Sequence, residues 1–428
     1  MPRHGGEKQG TDPLLGGRSF PSPSRLTPQA SRLYPSRPVV ISGGAVYTTR
    51  IVLPTGYVLV RDGRIEDVCP GDPPPALKKT AQVIDARGLL VTPGLIDLHI
   101  HGSGGGDVAD ADPESILRIS KILPRFGVTG FLASVYPAPK RKMLAQIRAV
   151  RDAAASAPAG ARILGVHLEG PYLNPVQKGA LNPRSFRAPD LDEMAAFIAE
   201  APGLIRLMTI APELPGAIEM IKFCREQNIR TAVGHSDASH EEMLAAIAAG
   251  LSHVTHAFNA LRRSHHRDPG VMGTVLTVDE VSLELIADFV HLHPKIVELL
   301  LITKPLDRLV LVSDAVRIAG LPGRRFLWDG TPIRVIKGVP RRPDGAIAGS
   351  ILTLNRAVAN VTSTSRATLE EAIKMASLIP ARCIHLEADL GCLVHDKDAD
   401  IALFDPQMNC RLTMVSRRIV HDSRRLGP

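Results

Sequence analysis

Eight short apolar segments recur between residues 94 and 312, separated by stretches of helical period, and this alternation leaves few folds open. The segments are Gly94–His99, Gly130–Val135, Ile163–Leu168, Ile205–Ile210, Arg230–Gly234, His253–Ala257, Leu283–Ala287 and Arg308–Val312. Between them, Pro113–Phe126, Arg141–Ala154, Gly216–Gln227 and Ser239–Ala249 place apolar residues at helical spacing. Short apolar strands alternating with helices imply βα units and a parallel sheet, and about eight such units fit a TIM-like (β/α)8 barrel of the α/β class. The active site of such a barrel lies where the strands end at their C-terminal side. Chemically competent side chains should therefore collect at those ends.

They do. His99 ends the first segment and His101 comes just after it, Glu169 follows Leu168, His235 follows Gly234, His256 follows Thr255, and Asp314 follows Ser313. His99 and His101 stand two apart on a strand, so both rings project to one face and can share an ion. Glu169 offers an anionic ligand able to bridge two ions. Each of these residues alone has a plainer reading: an ion-pair partner for Glu169, a satisfied hydrogen-bonding residue for His235 or His256, a turn or cap for Asp314. Their joint placement favours a metal site. A metal ion lowers the pKa of water, and Asp314 is placed to take that proton and pass it to a leaving amine. His167 is read as structural and is assigned to the strand face opposite Glu169. A second polar cluster, Phe258-Asn259-Ala260 and His265–Gly270, brings Arg267, a residue type suited to gripping an oxyanion such as phosphate.

The flanks are different. Val39–Thr49, Gly56–Val68 and Gln82–Val91 are strand-like, with turns at Asp62-Gly63 and Arg87-Gly88, and Asp400–Asp405 is a late β-segment expected to return to them. Short strands at Arg325–Trp328 and Ile333–Lys337 read as an insertion, followed by helices at Asn355–Ser363 and Leu369–Ser377. The expected organisation is a disordered tail over 1–37, a small β-sandwich from 38–92 and 395–422, and a barrel over 93–394.

Charge and cysteine usage narrow the partners. The net charge is +8. Residues 1–37 and 411–428 each carry a net +4, so the body between them is neutral. With aromatics at only 4%, that is not the basic, aromatic-interleaved face of a nucleic-acid protein. No apolar run approaches the roughly 20 residues that span a bilayer. The first 37 residues lack the apolar core of a secretory signal. Five dispersed cysteines without CxxC spacing read as free thiols in a reducing, cytoplasmic setting.

With these residues placed, the chain resembles the N-acetylglucosamine-6-phosphate deacetylase family of the amidohydrolase superfamily. The motifs are Pro93–Gly102 (PGLIDLHIHG), Gly165–Asn174 (GVHLEGPYLN), Gly234–Asp237 (GHSD), Thr255–Ala260 (THAFNA), His265–Gly270 (HHRDPG), Ser313–Ala315 (SDA) and Ala348–Thr353 (AGSILT), running in order from about 39 to 422. The resemblance implies one or two divalent ions (Zn, Fe, Mn or Co by ligand type) on His99, His101, Glu169, His235 and His256, two where the HxH pair is present. It implies Asp314 as general acid/base and His291 as the group that polarises the acetamide carbonyl. It implies sugar-phosphate contacts at Asn259, Ala260, Arg267, Asp288 and His291, and near Ala180, Leu181, Ile347, Ala348 and Gly349, in a homodimer. The implied reaction is release of acetate from an amino-sugar phosphate.

Three positions depart from the family pattern. Leu181 replaces a histidine, Phe289 a glycine, and Lys397 a glycine before the last β-segment. Two alternatives stand beside the leading reading. One is another amidohydrolase, such as an N-acyl-amino-acid deacylase or cyclic-amidase relative. The other is a catalytically silent scaffold, which would have no chemical need for the full ligand set.

Overall fold

The computed structural model describes residues 37–425 except 324, 329 and 365. The segment expected to be a tail lies outside the described residues apart from Arg37, whose guanidinium donates to the carbonyls of Thr80 and Ala81.

In chain order, five strands come first: β1 (Val39–Tyr47), β2 (Val52–Arg61), β3 (Arg64–Pro70), β4 (Gln82–Asp85) and β5 (Leu90–Pro93). The barrel follows with β6 (Leu95–Ile100), β7 (Val128–Val135), β8 (Arg162–Glu169), β9 (Ile205–Ile210), β10 (Arg230–Val233), β11 (His253–Val254), β12 (Ser282–Leu285) and β13 (Leu309–Leu311). Then come β14 (Arg325–Trp328), β15 (Thr331–Ile336) and β16 (Val339–Arg341), and finally β17 (Ile401–Phe404), β18 (Cys410–Val415) and β19 (Arg418–Asp422).

Strands β6 to β13 pair in sequence order, all parallel. Every residue of β6 and of β7 is buried, as expected where helices cover one face of a parallel sheet and side chains fill the other. The seam between β6 and β13 is closed by a parallel bridge of Ile100 with Ala315, and by Asp314 N–H on the His99 carbonyl at 2.8 Å. Barrel closure itself thus sets Asp314 against the HxH pair.

The helices form for local reasons. Ser239 and Glu242 make a reciprocal capping box at the start of His240–Ala249, and Thr368 and Glu371 do the same for Leu369–Met375. Pro113 stands at the first position of Pro113–Ile122, where its missing N–H is not needed. No helix among the described residues is long and apolar enough to cross a membrane.

The terminal strands form a second sheet, in the order β19-β18-β17-β5-β1-β2-β3, with β4 also paired to β1. The late segment returns as expected: β17 lies antiparallel on β5, with Leu403 opposite Val91. The two layers of the expected sandwich are one continuous hydrogen-bonded sheet around a core. Ile41, Val58, Ile65 and Val91 from its first strands meet Ile401, Leu403, Leu412 and Met414 there. Barrel and sheet are joined by Arg162, which ion-pairs with Asp398 at 2.6 Å and Asp400 at 2.7 Å. The expected insertion is a three-stranded antiparallel sheet, β14 to β16.

Candidate metal centre

Four imidazoles and a carboxylate converge at the C-terminal ends of β6, β8, β10 and β11. Glu169 is central. Its Oε1 lies 3.2 Å from His235 Nε2 and 3.1 Å from His256 Nε2, and its Oε2 lies 3.3 Å from His101 Nε2. His99 Nε2 is 3.7 Å from Oε1. Two triads result, His99/His101/Glu169 and Glu169/His235/His256, sharing the glutamate, and all five residues are buried.

The proton positions follow from the outer hydrogen bonds. His101 Nδ1 faces the Ser134 carbonyl at 3.1 Å, His235 Nδ1 the Gln177 carbonyl at 2.9 Å, and His99 Nδ1 the Glu284 carboxylate at 2.9 Å. Those partners can only accept, so each Nδ1 carries the hydrogen and each Nε2 of the neutral ring keeps its lone pair. Yet His99 and His101 bring Nε2 to within 3.2 Å of each other, and so do His235 and His256. The lone pairs of His99 and His101 that close repel unless a cation lies between them, and His235 turns its own lone pair towards His256. Glu169 Oε2 is buried with no hydrogen-bond partner among the described residues. Imidazole with carboxylate is a donor set for first-row divalent ions. The residues present fit a metal ion at each triad.

The electrostatics agree. Burial alone would lower the pKa of His99, but with no ion beside it Asp314, Glu284 and Glu169 outweigh burial and raise it to about 9, a demand for positive charge that a bound cation would meet in place of the second proton. Burial would raise the Glu169 pKa, yet the imidazoles of His101, His235 and His256 packed round it hold it well below the usual carboxylate range. Asp314 is buried too, and the positive surroundings of His99 and His101 keep its pKa low. Its Oδ1 stands 3.6 Å from His99 Nε2 and 3.4 Å from His101 Nε2, beside the first triad. His235, His256 and Asp314 all have positive φ, at 47°, 32° and 47°. Such strain in non-glycine residues is held only where the surroundings impose it, and it turns each side chain off its strand into the mouth.

His291 lies at the rim. Its Nδ1 bonds Asp288 Oδ2 at 2.7 Å, while Asp288 Oδ1 accepts the backbone N–H groups of Val290 and His291. Asp288 is therefore occupied in orienting His291. Burial would lower the His291 pKa, but Asp288 prevails and raises it. Phe289 between them has φ 63°, a conformation that glycine adopts without strain.

The other expected contacts scatter round the mouth. Asn259 donates its side-chain amide to the carbonyls of His256 and Ala257, and Ala260, at φ 49°, accepts from Ser236 N–H. Gly349, at φ 61°, passes so close to Asp314 that a Cβ there would sit 2.9 Å from the Asp314 carbonyl. Ala348 is buried, and Ile347 pairs with Arg341 of β16. Ala180 accepts from Arg342. Leu181 is buried in an apolar cluster with Tyr136, Trp328 and Ile333, so it offers nothing polar to a ligand. Arg267 is exposed, its guanidinium against His266 at 2.9 Å. Lys397 bonds the carbonyls of Glu387 and Ala388, away from the metal ligands.

One expectation is overturned. His167 is not on the face opposite Glu169; residues two apart on a strand share a face. Its ring lies inside the barrel, 4.6 Å from that of His99. Both ring nitrogens are taken by hydroxyls, Ser134 at 3.1 Å and Thr209 at 2.8 Å, so its structural role stands. Sequence reasoning also missed supporting residues. Asp97 accepts from the N–H groups of His99 and Ser313, and burial lifts its pKa to about 6. Glu213 holds the turn after His235 through Ser236, Asp237 and Asn174. Glu284 binds under His99. For Asp97 and Glu284 the available signal was a charged residue amid an apolar buried strand, which requires partners; Glu213, in the turn after β9, carried no such signal.

Comparison with known proteins agrees with this geometry. The amidohydrolase family model matches residues 90–422. The chain is 36% identical over 316 residues to an N-acetylgalactosamine-6-phosphate deacetylase of Escherichia coli O157:H7, covering 74% of this chain and 84% of that one. It is 35% identical over 346 residues to the N-acetylglucosamine-6-phosphate deacetylase of Vibrio furnissii, covering 81% and 86%. A Mycobacterium smegmatis N-acetyl-D-glucosamine-6-phosphate deacetylase, solved as a mutant with N-acetyl-D-glucosamine 6-phosphate, superposes with a TM-score of 0.83 at 29% identity, covering 90% of this chain and 100% of that chain. By fold, ligand set and sequence, this chain belongs to the amidohydrolase family, alongside the N-acetylglucosamine-6-phosphate deacetylases.

Proposed function

We propose that this chain is a metal-dependent hydrolase that deacetylates N-acetyl-D-glucosamine 6-phosphate to D-glucosamine 6-phosphate and acetate. The observation that carries the reading is the pair of triads sharing Glu169, with Asp314 at their edge. A divalent ion bound there supplies Lewis acidity, lowering the pKa of water towards neutrality and polarising a carbonyl. The chain's own residues do the rest. Asp314 accepts the proton of the attacking water through Oδ1, then returns it to the amine as the C–N bond breaks and acetate leaves. His291, its Nδ1 fixed by Asp288, presents Nε2 to the carbonyl oxygen, where negative charge develops. The intact acid/base and ligand set is what favours this over a silent scaffold, and the deacetylase relatives favour it over other amidases.

Finer assignments belong to the same proposal. The HxH pair and the shared glutamate support two ions per subunit, of Zn, Fe, Mn or Co. Five cysteines, none in a disulfide, support a reducing, cytoplasmic setting. A homodimer is proposed on the family resemblance, and sedimentation equilibrium tests it. The phosphate is assigned to the loop of Asn259, Ala260 and Arg267, beside His256. The relative named for N-acetylgalactosamine 6-phosphate, at 36% identity, supports a second reading with the C4-epimeric sugar.

Acetate release should be measured on both 6-phosphates and on unphosphorylated N-acetylglucosamine. The reading expects turnover of the glucosamine 6-phosphate derivative in preference to the others. No acetate from any of them removes it, and faster release from the galactosamine derivative selects the epimer. Replacement Arg267→Ala should raise KM for the 6-phosphate about 10–100-fold, the loss of one charge-assisted contact of roughly 1.5–3 kcal/mol. It should leave the unphosphorylated sugar unaffected; equal effects on both sugars would remove the phosphate contact.

A further inference from the structure

Glu284 lies in the middle of β12 between Leu283 and Leu285, at 0% exposure, and takes no part in the chemistry above. A carboxylate so buried is tolerated only with partners. Glu284 has three. Its Oε2 accepts from His99 Nδ1 at 2.9 Å and from the His256 backbone N–H at 3.1 Å, and its Oε1 accepts from His253 Nε2 at 3.2 Å. The strand periodicity explains the location: Glu284 points into the barrel, where its Oε2 reaches His99 of β6, one strand beyond its neighbour β13.

The ligand histidines differ in what holds their second nitrogen. His101 and His235 use neutral backbone carbonyls, and His256 Nδ1 has no hydrogen-bond partner among the described residues. Among the described residues, His99 alone of the four is backed by a carboxylate. A carboxylate behind a ligand imidazole fixes the tautomer and ring orientation and makes the ring a stronger donor than a carbonyl does. The two triads share Glu169, and His99 and His101 belong to the first alone.

We propose that Glu284 is a positioning residue that sets the metal affinity of the His99/His101/Glu169 triad, and so decides whether the centre holds two ions or one. The proposal rests on the two-ion reading above. Its bond to His256 is a neutral backbone contact that an amide oxygen can keep, so the second triad depends on it less.

The test reads zinc affinity, by competition with a chromophoric chelator, in two backgrounds of the full chain. His235→Ala leaves the first triad complete, and His101→Ala leaves the second. Adding Glu284→Gln should weaken zinc about 10–100-fold in the His235→Ala background, the usual effect of losing an outer partner, and change the His101→Ala background little. Glu284→Asp, which keeps the charge at shorter reach, should recover part of the loss. Equal weakening in both backgrounds, or unchanged affinity in the first, overturns the proposal. Should Glu284→Gln unfold the chain by its melting curve, Glu284→Asp decides: an affinity unchanged in both backgrounds, or reduced equally, overturns it too. A wild-type chain that takes up a single zinc refutes the two-ion reading instead, and that result is separate from these comparisons.

Discussion

Asp314→Asn is expected to lower kcat by about 10²–10⁴-fold, the range for a positioned general acid/base, while metal content per subunit stays as in the wild type. The amide keeps the size of the carboxylate and its place beside His99 and His101, so no ligand is removed. It cannot accept the proton of the attacking water, nor hand one to the departing amine. The backbone argues that the fold survives: the Asp314 N–H bonds His99 O, and its carbonyl accepts from Ser350 N–H, and neither involves the side chain. Steady-state acetate release together with metal analysis checks both halves. Full activity would remove Asp314 as the acid/base, and loss of metal would make it a ligand instead.

The second large effect concerns stability. Arg162 bridges the barrel to the terminal sheet through Asp398 and Asp400, each 6% exposed, and also donates to Ser416. Arg162→Met removes the charge and leaves Asp400 buried beside Asp398, whose remaining cation is Arg64 at 3.6 Å. Breaking a buried pair from one side costs about 3–5 kcal/mol, which should show as a lower urea midpoint with unchanged slope. The pH dependence has a definite sign. Burial raises the Asp400 pKa even with Arg162 present. A carboxylate with a raised folded-state pKa costs stability above its unfolded pKa, and that cost fades as pH falls through the folded value. The deficit of the variant should therefore be larger at pH 8 than at pH 5. A deficit that grows on acidification would mean that the carboxylates are not the source.

Much of the centre was legible because a (β/α)8 barrel ties chemistry to strand ends. His99, His101, Glu169, His235, His256 and Asp314 were readable as chemically competent residues at the ends of apolar runs, and the barrel brings all six together. All eight barrel strands are where the alternation places them, with ends shifted by a few residues. His253–Ala257 is shorter than expected because His256 leaves the strand at φ 32°. Ligand geometry, not strand propensity, sets that boundary. Glu284 and Asp97 were passed over because they sit within apolar runs, where period alone gives no cue; their charge was the cue. His167 was assigned the wrong face although strand parity contained the answer. The final hairpin, Cys410–Val415 with Arg418–Asp422, lies within the stretch 395–422 expected in the sandwich, but its separate strands have no apolar signature because Arg411 and Arg418 interrupt the pattern. Leu181 is the opposite case. The sequence marks it as a departure, and only its contact with Trp328 and Ile333 explains how a leucine is accommodated there.

The most direct test of the central claim is removal and return of the metal. The full chain would be stripped with a chelator, dialysed, and reconstituted with zinc, manganese, cobalt or ferrous iron. Metal per subunit and acetate release from N-acetylglucosamine 6-phosphate would be followed together. The account predicts an inactive stripped protein whose activity returns in proportion to bound metal, up to two ions per subunit. Undiminished acetate release from protein that holds no metal would contradict it.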